Sequence, residues 1–170
     1  MATKKAAADI YSNRTTVRCS MTAVNTLVFQ QLRFAAGLFE GVALILNRIL
    51  WFPFSGTLRE LVGAADHLQM ALVTRNDLAS IDPTNLAVID EKELVSVGAA
   101  VERYETPLVS DWRNSPGGGL IIPANPLYLA MNTAGYAAVA EMNVVIEYQW
   151  KKLSKDESIE LLQTLIPGTV

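Results

Sequence analysis

The chain has 170 residues, of which 51% are apolar and only 18% charged, with a net charge of −3. With its 10 glycines the apolar share rises to about 57%, against a usual 45–50%, and the charged share falls short of the usual quarter. That surplus predicts burial in subunit contacts. It is not a membrane signal, because Glu40, Asn47 and Arg48 interrupt the most apolar stretch, Phe34 to Phe54.

Residues 1–18 carry Lys4, Lys5, Arg14 and Arg18 against Asp9, a net of +3 that leaves −6 for the remainder. They lack apolar periodicity and read as a flexible, weakly basic arm with Lys4, Lys5, Arg14 and Arg18 as candidate phosphate contacts. The Lys4-Lys5 start and the Ala6-Ala7-Ala8-Asp9 stretch do not make a secretory leader, so no export by that route is expected.

A strand is predicted from Met21 to about Leu32. Another runs from Gly41 to Phe52, where Val42, Leu44, Leu46 and Leu50 alternate with Ala43, Ile45, Ile49 and Trp51, the double-sided apolar signature of a central strand. Thr57 to Gly63 has the spacing of a short helix or turn. Asp66 to Arg75, Leu86 to Asp90, Glu93 to Tyr104 and Thr106 to Trp112 follow as strands, with Asn76-Asp77 and Asp82-Pro83 as turn dipeptides.

After Ser115-Pro116-Gly117-Gly118-Gly119, strand pieces at Leu120 to Ile122 and Pro126 to Met131 are broken by prolines, which belong at strand starts, edges or bulges. Asn132 to Gly135 reads as a turn. A long strand then spans Ala138 to Lys151, with Met142, Val144, Ile146, Tyr148 and Trp150 on one face. Glu141, Asn143, Glu147, Gln149 and Lys151 occupy the other, broken only by Val145. Ser154 and Glu157 have capping-box spacing for a helix carrying Ile159, Leu162 and Leu165, ended by Pro167 and Gly168. The sum is about eight strands in one β-rich domain, residues 19–153, followed by a C-terminal capped helix and tail, residues 154–170.

The chemical inventory is short. One histidine, His67, cannot supply a multi-histidine metal site, and one cysteine, Cys19, permits no internal disulfide. No serine sits in a nucleophile-elbow sequence, and the Gly117-Gly118-Gly119 run has no following lysine and leads into a strand, so it is no phosphate loop. No enzymatic activity is expected. Between Asp82 and Asp111, seven carboxylates face Lys92 and Arg103, a net of −5. Of these, Asp82, Asp90, Glu91 and Asp111 are the candidates for a calcium ion at subunit contacts; ordinary solvated loop charges are the simpler reading, and no resident cofactor is expected.

About eight strands without a catalytic motif, a basic arm before them and a short helix after, resemble a single jelly-roll coat protein of a small icosahedral virus. The stretch Ala43 to Ile49 resembles an early strand of that fold, while Ser115 to Pro123, Pro126 to Asn132 and Asn143 to Leu153 resemble its last loops and strands. The resemblance implies an all-β, eight-stranded jelly-roll β-sandwich that self-assembles into a smooth shell. Copies of itself are the implied partners, with genomic RNA or DNA contacted through the arm and no membrane. The implied location is the virion, assembled in the host cytoplasm. Gly117, Gly118 and Gly119 are expected to form a loop that adapts between non-identical positions. A calcium- or carbohydrate-binding β-sandwich and a phage decoration or tail subunit are the alternatives.

Overall fold

A computed structural model describes residues 13–33, 42–96, 106–115, 118–123, 126–154 and 156. They form nine strands and one short helix: β1 Asn13–Ser20, β2 Val28–Leu32, β3 Val42–Pro53, α1 Ser55–Arg59, β4 His67–Val73, β5 Val88–Val95, β6 Leu108–Asp111, β7 Leu120–Pro123, β8 Leu127–Ala134 and β9 Glu141–Lys152. The protein is all-β, built on two antiparallel sheets. The first has the order β1-β9-β3-β6, with β7 also pairing β3; the second has the order β2-β8-β4-β5.

The pairing is nested. β1 pairs β9, β2 pairs β8, β3 pairs β6 and β7, and β4 pairs β5, so the early strands meet the late ones in reverse order. The remaining partners, β3 with β9 and β4 with β8, join neighbouring layers of this nest within each sheet.

The core lies between the sheets. Met142, Val144, Ile146, Tyr148 and Trp150 of β9 pack with Leu44, Leu46, Ile49 and Trp51 of β3, Leu68, Met70 and Leu72 of β4, and Leu129 and Met131 of β8. The dry face expected for the last strand is the buried one, and fully burying an aliphatic side chain contributes about 1.5–3 kcal/mol. Trp51 is fully buried and donates its indole N–H to Asp90 Oδ2 at 3.1 Å. Asp90 also accepts from Ser110 Oγ at 2.7 Å, so a strand of the second sheet is tied through one carboxylate to two strands of the first.

β3 changes phase halfway along. Its register with β9 shifts between Leu46 and Arg48, leaving Asn47 as an extra residue. Even-numbered Leu44 and Leu46 therefore face the core before the bulge and odd-numbered Ile49 and Trp51 after it. The same point divides the other edge of β3 between β7, opposite residues 43–46, and β6, opposite residues 48–51. The double-sided apolar pattern of this segment thus has two sources, the opposite phase of its two halves and the outward apolar residues Ala43, Ile45 and Leu50.

Other boundaries differ from the sequence expectation for identifiable reasons. The arm expected over residues 1–18 gives way to β1 at Asn13, where Val17 and Cys19 alternate inward and every residue from 13 to 20 pairs with β9. β-branched Thr15, Thr16 and Val17 favour the extended backbone. The strand expected from Met21 is a loop until Val28, turned by Asn25 at φ 53°. Leu86 to Asp90 and Glu93 onward contribute to one strand, β5, because an edge strand tolerates the charged Glu91-Lys92-Glu93 run. β8 continues through Ala134, and the turn comes at Gly135, φ 80°. The helix begins at Ser55 rather than Thr57. The expected stripe of Val97, Ala99 and Val101 and nearly all of the helix expected at the C-terminus lie outside the described residues. Among those described, no helix is long and apolar enough to cross a membrane.

Candidate functional site

The outward face of the first sheet brings together charges far apart in sequence. Registers across β1, β9, β3 and β6 align Arg14 with Glu147, Glu147 with Arg48, and Arg48 with Asp111. The result is a row that alternates in sign across all four strands. Cross-strand neighbours on one face stand about 4.5–5.5 Å apart at Cβ, so opposite charges in such positions attract. Arg48 Nε lies 3.9 Å from Asp111 Oδ2. Asp111 is also gripped by Arg113, whose Nε donates at 2.9 Å. Hydrogen bonds from Arg113, helped by the charge of Arg48, hold the Asp111 carboxyl down at about 2.

The next row along the strands is Thr16, Val145, Leu50 and Val109, apolar apart from its threonine. Val145 and Leu50 are buried although they face outward, whereas Val109 is 42% exposed. The one apolar break in the polar face of β9 therefore has a purpose: Val145 packs in a cross-strand apolar row beside the charged one.

The arm residues find partners here. Arg18 donates to Glu141 Oε2 at 2.6 Å and lies 5.2 Å from the centre of the Phe54 ring. Hydrogen bonds from Arg18, and then from Ser20, pull the Glu141 carboxyl below its usual range. Arg14 stands opposite Glu147. Two of the four basic residues expected to meet phosphate are thus set beside carboxylates, which reduces the positive charge available for counterion release. Lys4 and Lys5 lie outside the described residues.

The acidic candidates do not converge. Among the described residues, no group of three or more His, Cys, Asp or Glu side chains is placed to hold a metal ion. Asp90 faces the core, with its oxygens taken by Trp51 and Ser110 and Lys92 Nζ 3.6 Å away. Asp111 belongs to the first sheet. Asp82 closes its own turn by accepting from Thr84 N–H at 2.8 Å and Thr84 Oγ1 at 2.7 Å. Glu91 is the unusual one: burial first, then the negative charges of Glu93, Asp82 and Asp90, push its carboxyl upward.

The glycine loop is fastened. Asn47 Nδ2 donates to the Gly118 carbonyl at 2.7 Å, and the Asn47 carbonyl accepts the Trp112 N–H at 2.9 Å. A Cβ on Gly119 would stand 2.5 Å from Ile45 Cγ2 and 2.7 Å from the Leu46 carbonyl, closer than such atoms approach. Glycine at 119 is required by close packing against β3, and at Gly118 by φ +78°. The adaptability expected of this loop is not what these two positions supply; Gly117 lies outside the described residues.

Sequence reasoning missed the row because Arg48, Asp111, Arg113 and Glu147 become neighbours only through register. It also missed the lacing at one end of the sandwich. Asn25 Oδ1 accepts the Tyr136 N–H at 3.0 Å and its Nδ2 donates to the Tyr136 carbonyl at 3.1 Å. Glu60 Oε2 accepts the Ala137 and Ala138 N–H groups at 2.9 and 3.1 Å, and Thr57 Oγ1 accepts the Glu141 N–H at 2.8 Å. These side chains bind the β1–β2, α1 and β8–β9 connections into one unit. Comparison with protein-family models and with curated proteins finds no match for this chain.

Proposed function

We propose that the chain is a jelly-roll coat subunit whose copies assemble into an icosahedral shell around a nucleic-acid genome. The observation that carries this reading is the nested strand order, β1-β9-β3-β6 against β2-β8-β4-β5. A long antiparallel hairpin rolled upon itself gives two facing sheets with this order, the jelly-roll arrangement used by viral capsid domains and also by lectins and cupins. Fold likeness supports function by analogy, so the choice among those uses rests on other features. The apolar surplus and low charge favour a subunit that buries surface against copies of itself. The laced loops at one end supply a firm rim for such contacts, with Val24, Val62 and Val139 exposed on them.

In this mechanism the sandwich is a rigid tile, and repeated modest contacts around symmetry axes close the shell. Genome contact falls to Lys4 and Lys5, since Arg14 and Arg18 sit beside carboxylates. Electron microscopy and light scattering of the purified protein over a range of salt and pH test the proposal. Closed particles are the expected result; monomers or dimers under every condition overturn it.

A further inference from the structure

The outward face of the first sheet has a charge pattern that is also complementary to its own copy. Its charged row reads plus, minus, plus, minus across β1, β9, β3 and β6, as Arg14, Glu147, Arg48 and Asp111. We infer that this face is a two-fold contact with a second copy of the same chain, with the axis running along the strands between β9 and β3.

The sign pattern selects that axis. A two-fold axis along the strands reverses the order of the row, so Arg14 meets the second copy's Asp111 and Glu147 meets its Arg48. All four positions then face an opposite charge. A two-fold axis along the row preserves the order and sets Arg against Arg and carboxylate against carboxylate, an arrangement that like-charge repulsion forbids. The adjacent row is compatible with the same operator, which sets Val145 and Leu50, both buried within one chain, on the same line and brings Thr16 opposite Val109, so no charge is placed against it. Face-to-face sheets with nearly aligned strands are an ordinary way for β-sheets to pack. Such an isologous contact is self-complementary by construction.

The central pairs dominate. Asp111 already shares its charge with Arg113, which weakens the outer pairs, whereas Glu147 and Arg48 lie next to the axis. Val145 and Leu50 are already largely covered within one chain, so the contact draws more on charge than on apolar burial and is salt-sensitive. The pairing stands on the row itself and does not require that pairs go on to form a shell.

Sedimentation of the full chain at low and high salt, with a charge-reversed partner, is the test. The protein is expected to pair at low salt, with affinity falling about tenfold or more as salt screens the row. Glu147→Arg, which sets two arginines together beside the axis, is expected to weaken pairing by a similar factor. The decisive variant reverses the whole row together with the arginine that grips its last member: Arg14→Glu, Glu147→Arg, Arg48→Glu, Asp111→Arg and Arg113→Glu. It keeps alternation within the chain and should pair with itself. It should refuse to pair with the wild type, because every facing position then carries like charge. Free mixing of the two proteins, or a wild-type chain that stays monomeric at low salt, overturns the inference. Salt-sensitive pairs without closed particles support it while removing the shell reading, and closed particles that co-assemble freely from both proteins do the opposite.

Discussion

The two outward faces of the sandwich handle the same problem differently. On the first sheet, the row of Arg14, Glu147, Arg48 and Asp111 leaves a polar, chargeable surface. On the second, Ala71, Val73 and Ala130 are fully buried beneath Leu78 and Ile81 of the connection between β4 and β5, with Leu27, Phe29 and Tyr128 packed around them. The second sheet is covered from within by its own loop, a satellite core of the kind that forms under long connections. The difference teaches that one face is finished by a connection of its own chain, while the other leaves a row of alternating charges at its surface.

The contrast can be broken most forcefully at the covered face. Ile81→Ala, at a residue 4% exposed, is expected to lower stability by about 2–5 kcal/mol in urea unfolding, since it removes the lid over Ala71 and Val73. Removing the brace between the sheets comes next. Asp90→Ala leaves the Trp51 indole and the Ser110 hydroxyl without their acceptor, at an expected cost of about 1–3 kcal/mol in the same measurement.

Acid separates the faces by sign. Asp111 and Glu141, on the first sheet, have lowered folded-state pKa values, so they add stability above the ordinary carboxylate range. That contribution is lost as pH falls from about 4 towards 2, through the folded value of Asp111. Glu91, on the second sheet, is raised, so its ionisation subtracts stability as pH climbs through its folded value. Glu91→Gln should therefore be more stable than the wild type at neutral pH and lose that advantage in acid, as thermal melts across pH would register. The smallest effect is expected at Val109→Ser, half-open on the first sheet's outer face, where unfolding free energy should move by no more than about 0.5 kcal/mol.

Much of the fold was legible where one property alternated cleanly along one strand. The dry and wet faces of β9 follow from its own residues, and the inward Met142, Val144 and Ile146 are where alternation puts them. β1 was hidden because Arg14, Thr16 and Arg18 face outward and only Val17 and Cys19 join the core. A sparse inward stripe on an edge strand resembles an unstructured arm until its partner is known. The candidate site was less legible still. Arg48 and Asp111 are 63 positions apart in the chain and meet through a register that no local pattern encodes. The acidic run from Asp82 to Asp111 suggested a cluster, yet alternation sends Asp90 inward and Glu91 outward, and Asp111 belongs to the other sheet.

The extra residue in β3 gives that strand something like a reading frame. Up to Leu46 the inward positions are even, and beyond Asn47 they are odd. Deleting Asn47 would restore an unbroken alternation with the same inward set, Leu44, Leu46, Ile49 and Trp51, because Leu46 and Arg48 already stand opposite consecutive residues of β9. A second inserted residue, by contrast, would turn Arg48 towards the core and Trp51 towards solvent. Replacing Asn47 with another residue keeps the frame and loses only the hydrogen bond to Gly118. What the extra residue supplies is therefore a local bend and an anchor for the Gly118 loop, while the choice of inward side chains is carried by the residues on either side of it.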